Sequence, residues 1–326
     1  MHVPRRRFLS LAASVAALPA MSRLTLAQTY PARPVRFVVG FAPGGPNDIL
    51  ARLIGEWLGS RLGQPFAVEN LPGGSSNPAT EVVVRAPPDG HTILLMGPAN
   101  AINASLFPNL KFDIRRDIAP VAGLTREALV LVVHPSVPAS TVPELIAYAK
   151  ANPGKLRMAM TGAGSSPHVS GKLFRLMTGV DVEELHYDGG GPALRDMIAG
   201  KADMMFEPMS ASIGPLRKKS LRALAVTTAQ RSEALPDLPL MGDTLSGYEA
   251  SAVTGIGVPS RTPADIIATL NTAINAAFAD PVMRGRLADT GGSMLAGSPA
   301  EFGRLLAEET EKWAQVVKVS GAKADR

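Results

Sequence analysis

From Val35 onward, short apolar runs alternate with longer stretches in which apolar residues recur every three or four positions. Val35–Gly40 reads as a strand, and Ile49, Leu50, Leu53, Ile54, Trp57, Leu58 and Leu62 then share one face at helical spacing. Phe66–Glu69 reads as a second strand, Ala79–Arg85 as a helix and Thr92–Gly97 as a third strand. Such alternation predicts a parallel sheet with helices on both faces, an α/β architecture. The rhythm resumes with strands at Leu129–Val133, Leu156–Met160, Glu183–Tyr187, Asp203–Glu207 and Leu221–Thr227. Between them lie a helix over Val142–Ala151, one carrying Val169, Leu173, Leu176 and Met177, and one opening at Pro192. A strand at Ala252–Val258 precedes three helical stretches, Pro263–Asp280, Pro281–Thr290 and Pro299–Ser320. The middle thus repeats the architecture of the start. The expected organisation is one lobe from 28–125 and 254–326 and a second from 126–253. Two crossings, near Leu124–Val130 and Tyr248–Gly255, would make a hinge.

Two glycine-rich junctions stand out against this pattern. Phe41-Ala42-Pro43-Gly44-Gly45-Pro46-Asn47-Asp48 and Thr161-Gly162-Ala163-Gly164-Ser165-Ser166-Pro167-His168 each follow a strand and open a helix. A helix start exposes unpaired N–H groups at the positive end of the peptide dipoles, and glycine lets a ligand approach that backbone. One such junction in each lobe would grip a small anion from two sides. Either junction alone is equally an ordinary strand-to-helix turn.

The first residues read as an export signal. Arg5-Arg6-Arg7-Phe8-Leu9 precedes an apolar stretch over Leu11–Ala20 and the small-residue exit Thr25-Leu26-Ala27, so 1–27 is expected to be removed after Ala27 and the mature chain to reside in the periplasm. The apolar core is too short for a membrane span. The arginine pair resembles a twin-arginine signal, although Pro4 and Ser10 depart from it and leave general secretion open. This changes the meaning of the charge. The 326-residue chain carries a formal +5, but without Arg5, Arg6, Arg7 and Arg23 it has 29 basic against 28 acidic side chains. No nucleic-acid footprint is left. The chain has no cysteine, its five histidines show no metal-ligand spacing, and neither a metal nor a cofactor is expected. Gly162-Ala163-Gly164-Ser165-Ser166 lacks the third glycine of a dinucleotide fingerprint, and no GxSxG elbow occurs, so a secreted enzyme is the weaker reading.

The chain resembles the Bug-type solute receptors, the extracytoplasmic binding components associated with tripartite tricarboxylate transporters. The resemblance is carried by Pro34 to Gly45, Asp48-Ile49-Leu50-Ala51-Arg52, Leu62-Gly63-Gln64-Pro65, Val68-Glu69-Asn70, Ala86 to Thr92, Val133 to Pro138, Pro153 to Leu156, Leu221 to Val226 and Leu235 to Pro239. It implies a type II periplasmic-binding-protein fold whose lobes close on a small carboxylate or related polar molecule. It also implies that backbone N–H groups and ordered waters hold the carboxylate. On this basis Phe41, Ala42, Pro43, Gly44 and Gly45 with Asp48 form the first-lobe grip, and Gly162, Ala163, Gly164, Ser165 and Ser166 with His168 the second. The implied partner is a set of membrane transporter subunits or a sensor protein, and the receptor is expected to be a monomer.

Individual residues carry alternatives. Asp48 suits a helix start, where an acid caps N–H groups, better than contact with an anion. Ser166 is expected to cap its helix and Ser165 to touch ligand, while Thr161 directs its hydroxyl to the cleft. His168 is as well placed for packing as for contact. Ser75 and Ser76 stand where the family has glycines, in a loop that either rims the cleft or is a solvated turn. If Asp188 and Glu207 both face the cleft, its far end is acidic, and a monocarboxylate, amide or amino-bearing ligand is favoured over a tricarboxylate.

Overall fold

The computed structural model describes residues 30–320 apart from 163, 188, 233–234 and 289–291. The expected export segment, Ala163 and Asp188 therefore lie outside the described residues. In chain order the first elements are β1 (Val35–Val39), α1 (Pro46–Leu62), β2 (Phe66–Asn70), a 3-10 turn over Gly74–Ser76, α2 (Asn77–Val84), β3 (Thr92–Met96), α3 (Pro98–Leu106) and α4 (Ile114–Asp117). Then come β4 (Ile118–Val133), α5 (Val142–Ala151), β5 (Arg157–Thr161), α6 (Ser166–Thr178), β6 (Glu183–Tyr187), α7 (Gly190–Ile198), β7 (Met204–Pro208) and α8 (Met209–Arg217). The rest are β8 (Arg222–Val226), α9 (Met241–Thr244), β9 (Ser251–Pro259), α10 (Ala264–Ala279), α11 (Pro281–Ala288), β10 (Gly292–Met294) and α12 (Pro299–Ser320).

The strands run β2-β1-β3-β9-β4-β7-β5-β6, with β10 and β8 added beside β4. β2-β1-β3 is parallel and so is β6-β5-β7, as the strand–helix alternation predicts. The centre differs from the all-parallel expectation: β3-β9, β9-β4 and β4-β7 are antiparallel. β4 is the element the halves share. Its first part, to Ala128, pairs with β9, and from Leu129 it pairs with β7 and then β8. Register shifts near Val121 and Leu124 bend it on the way.

Strand alternation puts Val35, Phe37 and Val39 of β1 on one face, against Leu50, Ile54 and Leu58 of α1, and Val38 on the other, against Ala79 and Val83 of α2. The two faces bury separate apolar clusters, which is why β1 is almost continuously hydrophobic. Gly63 ends α1 in the left-handed conformation (φ +76°), with its N–H on Gly59 O. In the second half, Val130, Val132, Ala159 and Met205 pack beneath Ala193 and Met197 of α7. α12 packs against both α3 and α6, with Trp313 fully buried, and so lies across the two halves.

Candidate ligand-binding site

Parallel strands send their C-terminal ends to one edge of a sheet, where ligands of open α/β folds collect. In the first half, the turns after β1, β2 and β3 lie on that edge and open α1, α2 and α3. In the second, the turns after β5, β6 and β7 open α6, α7 and α8. Six helix N-termini thus end on these two edges, each worth about 0.3–1 kcal/mol to a nearby anion.

The turn after β1 is held from below and open above. Asn70 Nδ2 donates to Phe41 O (2.9 Å), whereas Ala42, Pro43 and Gly44 are exposed. Gly44 has φ +79° and nothing within 4 Å of where a Cβ would stand. Asp48 is buried, and its Oδ2 accepts from Gly44 N (2.9 Å) and Arg52 Nε (3.0 Å). Burial pushes this carboxyl up, but Arg52, the Gly44 N–H and Asn70 outweigh it and hold it below the usual aspartate range. Asp48 thus braces the turn from inside, as an acid at a helix start does. Pro46 has no N–H, and the first intrahelical bond is Ile49 N to Gly45 O, so helix geometry leaves the Asn47 and Asp48 N–H groups without carbonyl partners.

The turn after β5 uses Gly162 (φ +28°) and Gly164 (φ +78°). Here the expected cap moves from one serine to the other. Ser165, not Ser166, is the N-cap of α6: its Oγ accepts from His168 N (3.2 Å) and donates to Thr161 O (2.6 Å). Pro167 sits at the second helical position rather than the first, which moves the cap back one residue. Ser166 is buried in the first turn. Thr161 is buried as well, with Oγ1 3.3 Å from Ser165 Oγ. His168 is only 2% exposed, with Nδ1 facing the Gly164 N–H at 3.4 Å, a packed position.

The two junctions meet at the serine turn. A Cβ on Gly40 would stand 1.9 Å from Ser76 Oγ, so the turn after β1 lies directly on Ser76. A Cβ on Gly164 would stand 2.6 Å from Asn103 Oδ1, 3.2 Å from Leu106 Cδ2 and 3.7 Å from Ser75 Cβ. Ser75 and Ser76 both adopt positive φ (52° and 70°), the conformation that glycine takes without strain. Ser76 is 1% exposed and Ser75 half-buried, so of the two alternatives the solvated turn does not hold at Ser76. Asn103 on α3 holds the turn, donating to Ser75 O (2.7 Å) and Asn77 Oδ1 (2.9 Å), while its buried Oδ1 has no hydrogen-bond partner. No capping serine marks this helix in the sequence, and Asn103 lies beside its short apolar stripe of Ala99, Ile102 and Leu106.

Glu207 lies near the end of β7 and is 3% exposed. Its Oε1 lies 2.9 Å from where a Cβ on Gly190 would stand, at the start of α7. Burial, and then the charge of Glu127, push its pKa up to about 8. Glu127 on β4 was missed as a candidate. Its Oε1 accepts from Ser210 N (2.9 Å) and Ser210 Oγ (2.6 Å) in the first turn of α8, and burial raises its pKa despite these bonds. An open recess of about 480 Å³ lined by Arg61, Thr269 and Ala273 lies at the opposite end of α1 and has no convergent polar groups.

Residues 50–322 match the family described as "tripartite tricarboxylate transporter family receptor". The chain is 34% identical over 302 residues to Protein BugT of Bordetella pertussis, covering 91% of this chain and 92% of BugT. It superposes on Rpa4515 of R. palustris, solved with adipate, with a TM-score of 0.84 at 34% identity, covering 90% of this chain and 99% of that one. MatC of Rhodopseudomonas palustris, solved with bound malate, gives a TM-score of 0.80 at 32% identity, covering 88% and 100%. The periplasmic solute-binding fold, the paired α/β halves and the matched sequence agree: this chain belongs to the tripartite tricarboxylate transporter receptor family.

Proposed function

We propose that the protein is a periplasmic receptor that captures a small carboxylate between the Phe41–Asp48 and Thr161–His168 junctions and presents it to membrane transporter subunits. The observation that carries this reading is the seat of Gly164 against Asn103 and Ser75, next to the serine turn on which Gly40 rests. It brings two helix starts from opposite halves of the chain to one place. Their dipoles, with the Asn47 and Asp48 N–H groups of the first, suit an anion without a lysine or arginine in either turn. Relatives solved with adipate and with malate support a carboxylate as the ligand class.

In this reading the lobes divide within β4 and β9, a few residues before β4 takes β7 as its partner at Leu129, the first comprising 28–125 and 254–326 and the second 126–253. The first lobe binds ligand, the halves rotate about β4 and β9, and the second junction completes the shell. Ligand favours the closed form because only there do both junctions contribute. Residues 1–27 would direct export and then be removed, and the mature receptor would act without catalysis.

Mass spectrometry of small molecules released from the purified protein, followed by thermal-shift assays with adipate, malate and citrate, tests the proposal. A retained carboxylate is expected, and a saturating ligand at 100 times its Kd should add about 2.7 kcal/mol of stability. Release of no carboxylate together with no shift, or chemical conversion of the added compound, would contradict it.

A further inference from the structure

The far wall of the second half holds an acid with no assigned partner. Glu207 is 3% exposed, and its Oε2 is buried without a hydrogen bond. Continuing the β5–β7 register from Met158↔Met204 and Ala159↔Met205 sets Glu207 beside Thr161, the last residue before the second glycine turn. Glu207 therefore stands on the same strand edge as that turn, one strand further along. Among the described residues no cation is bonded to Glu207. β4 contributes Val130 opposite it and the Glu127 carboxylate, and α8 contributes Ser210, which is bonded to Glu127. α7 contributes the backbone at Gly190, and also Arg195, whose guanidinium lies 3.8 Å from where a Cβ on Gly191 would stand, and Asp196, bonded to Tyr187 and Lys201. A buried, unbonded carboxyl oxygen is destabilising unless something completes it.

We propose that Glu207 forms the far subsite of the ligand cleft and selects there for a hydrogen-bond-donating group, an ammonium or an amide N–H, over a second carboxylate. The inference rests on the receptor reading above. One end of the ligand is a carboxylate held by the amide turns, and the other meets Glu207. In either protonation state Glu207 offers an acceptor oxygen to a donor. A second carboxylate fits only while Glu207 keeps its proton, and the neighbouring Glu127 adds like-charge repulsion once that proton leaves. Selection against dicarboxylates therefore sharpens as the pH rises, and an ammonium gains over the same range.

Calorimetric titration of the mature protein with two matched sets tests this: adipate, adipamate and 6-aminohexanoate, and succinate, succinamate and 4-aminobutyrate. Each set is run at pH 6.5 and pH 9 on wild type, Glu207→Gln and Glu207→Asp. In the set whose length fits, the amine and the amide should bind wild type at least about tenfold tighter than the diacid at pH 9, with a smaller ratio at pH 6.5. Glu207→Gln should abolish the pH dependence of that ratio, and Glu207→Asp should retain it. A diacid that binds wild type as tightly as the amine at pH 9, with Glu207→Gln unchanged, overturns the inference and leaves the receptor reading standing. If no compound binds and the purified protein releases no carboxylate, the receptor reading falls and the inference with it.

Discussion

Replacing Gly164 with alanine should weaken ligand binding by roughly 30- to 100-fold while the protein remains folded. Two effects act at this position. The backbone has φ +78°, where an L side chain costs about 1–2 kcal/mol. The new Cβ would also stand 2.6 Å from Asn103 Oδ1 and 3.2 Å from Leu106 Cδ2. Both atoms belong to α3, in the other half of the chain, so the clash falls on the arrangement in which the halves meet. Opening relieves it. The substitution therefore raises the closed state relative to the open one and is read as lost affinity rather than unfolding. Gly63→Ala supplies the control. Gly63 has nearly the same φ, +76°, with nothing within 4 Å of its Cβ position, so it should lose stability but not affinity. Calorimetry with the ligand identified by mass spectrometry, alongside urea melts, separates the two effects. Equal affinity in the Gly164 variant and wild type would remove Gly164 from the closure contact.

The second large effect is a pH-dependent gain in stability on replacing Glu207 with glutamine. The folded-state pKa of about 8 lies above the ordinary glutamate value, so the native state binds more protons than the unfolded chain between roughly pH 4.5 and 8. Stability contributed by the protonated group is complete below that window and is lost as pH rises through it, by about 1.4 kcal/mol per unit at most. Glutamine is neutral throughout and similar in shape. Glu207→Gln should therefore match wild type near pH 4 and exceed it at pH 9 by up to about 5 kcal/mol. Denaturant melts across that range, without ligand, give the comparison. Parallel curves for the two proteins would show that Glu207 titrates normally.

Both effects arise at positions the sequence reveals unequally. The two glycine junctions are legible because strand, glycine and helix periodicity occur together at each. That they meet is not, because the link runs through Asn103. In its helix, Pro98–Leu106, Ala99, Ile102 and Leu106 form a short apolar stripe, and nothing in that pattern singles out Asn103. β4 is similarly concealed. Leu129–Val133 is visible as an apolar run, but the segment before it contains Pro120, Gly123, Arg126 and Glu127, and its register shifts break the alternation a regular strand would show. Hence the antiparallel centre of the sheet is absent from a reading based on strand–helix alternation. The move of the cap from Ser166 to Ser165 has a smaller cause, since a proline fits either of the first helical positions and the cap moves with it. Ser75 and Ser76 are the opposite case: they follow Gly73-Gly74 in the glycine-rich loop and continue its positive-φ backbone.

Amide chemical-shift perturbation on titrating the mature protein with its retained carboxylate tests the central claim most directly. The account predicts saturable shifts at Asn47 and Asp48 in the first turn of α1 and at Gly164, Ser165, Ser166 and His168 in the second junction, all fitting one Kd. Shifts confined to one junction, or appearing only around the recess at Arg61 and Thr269, would contradict it.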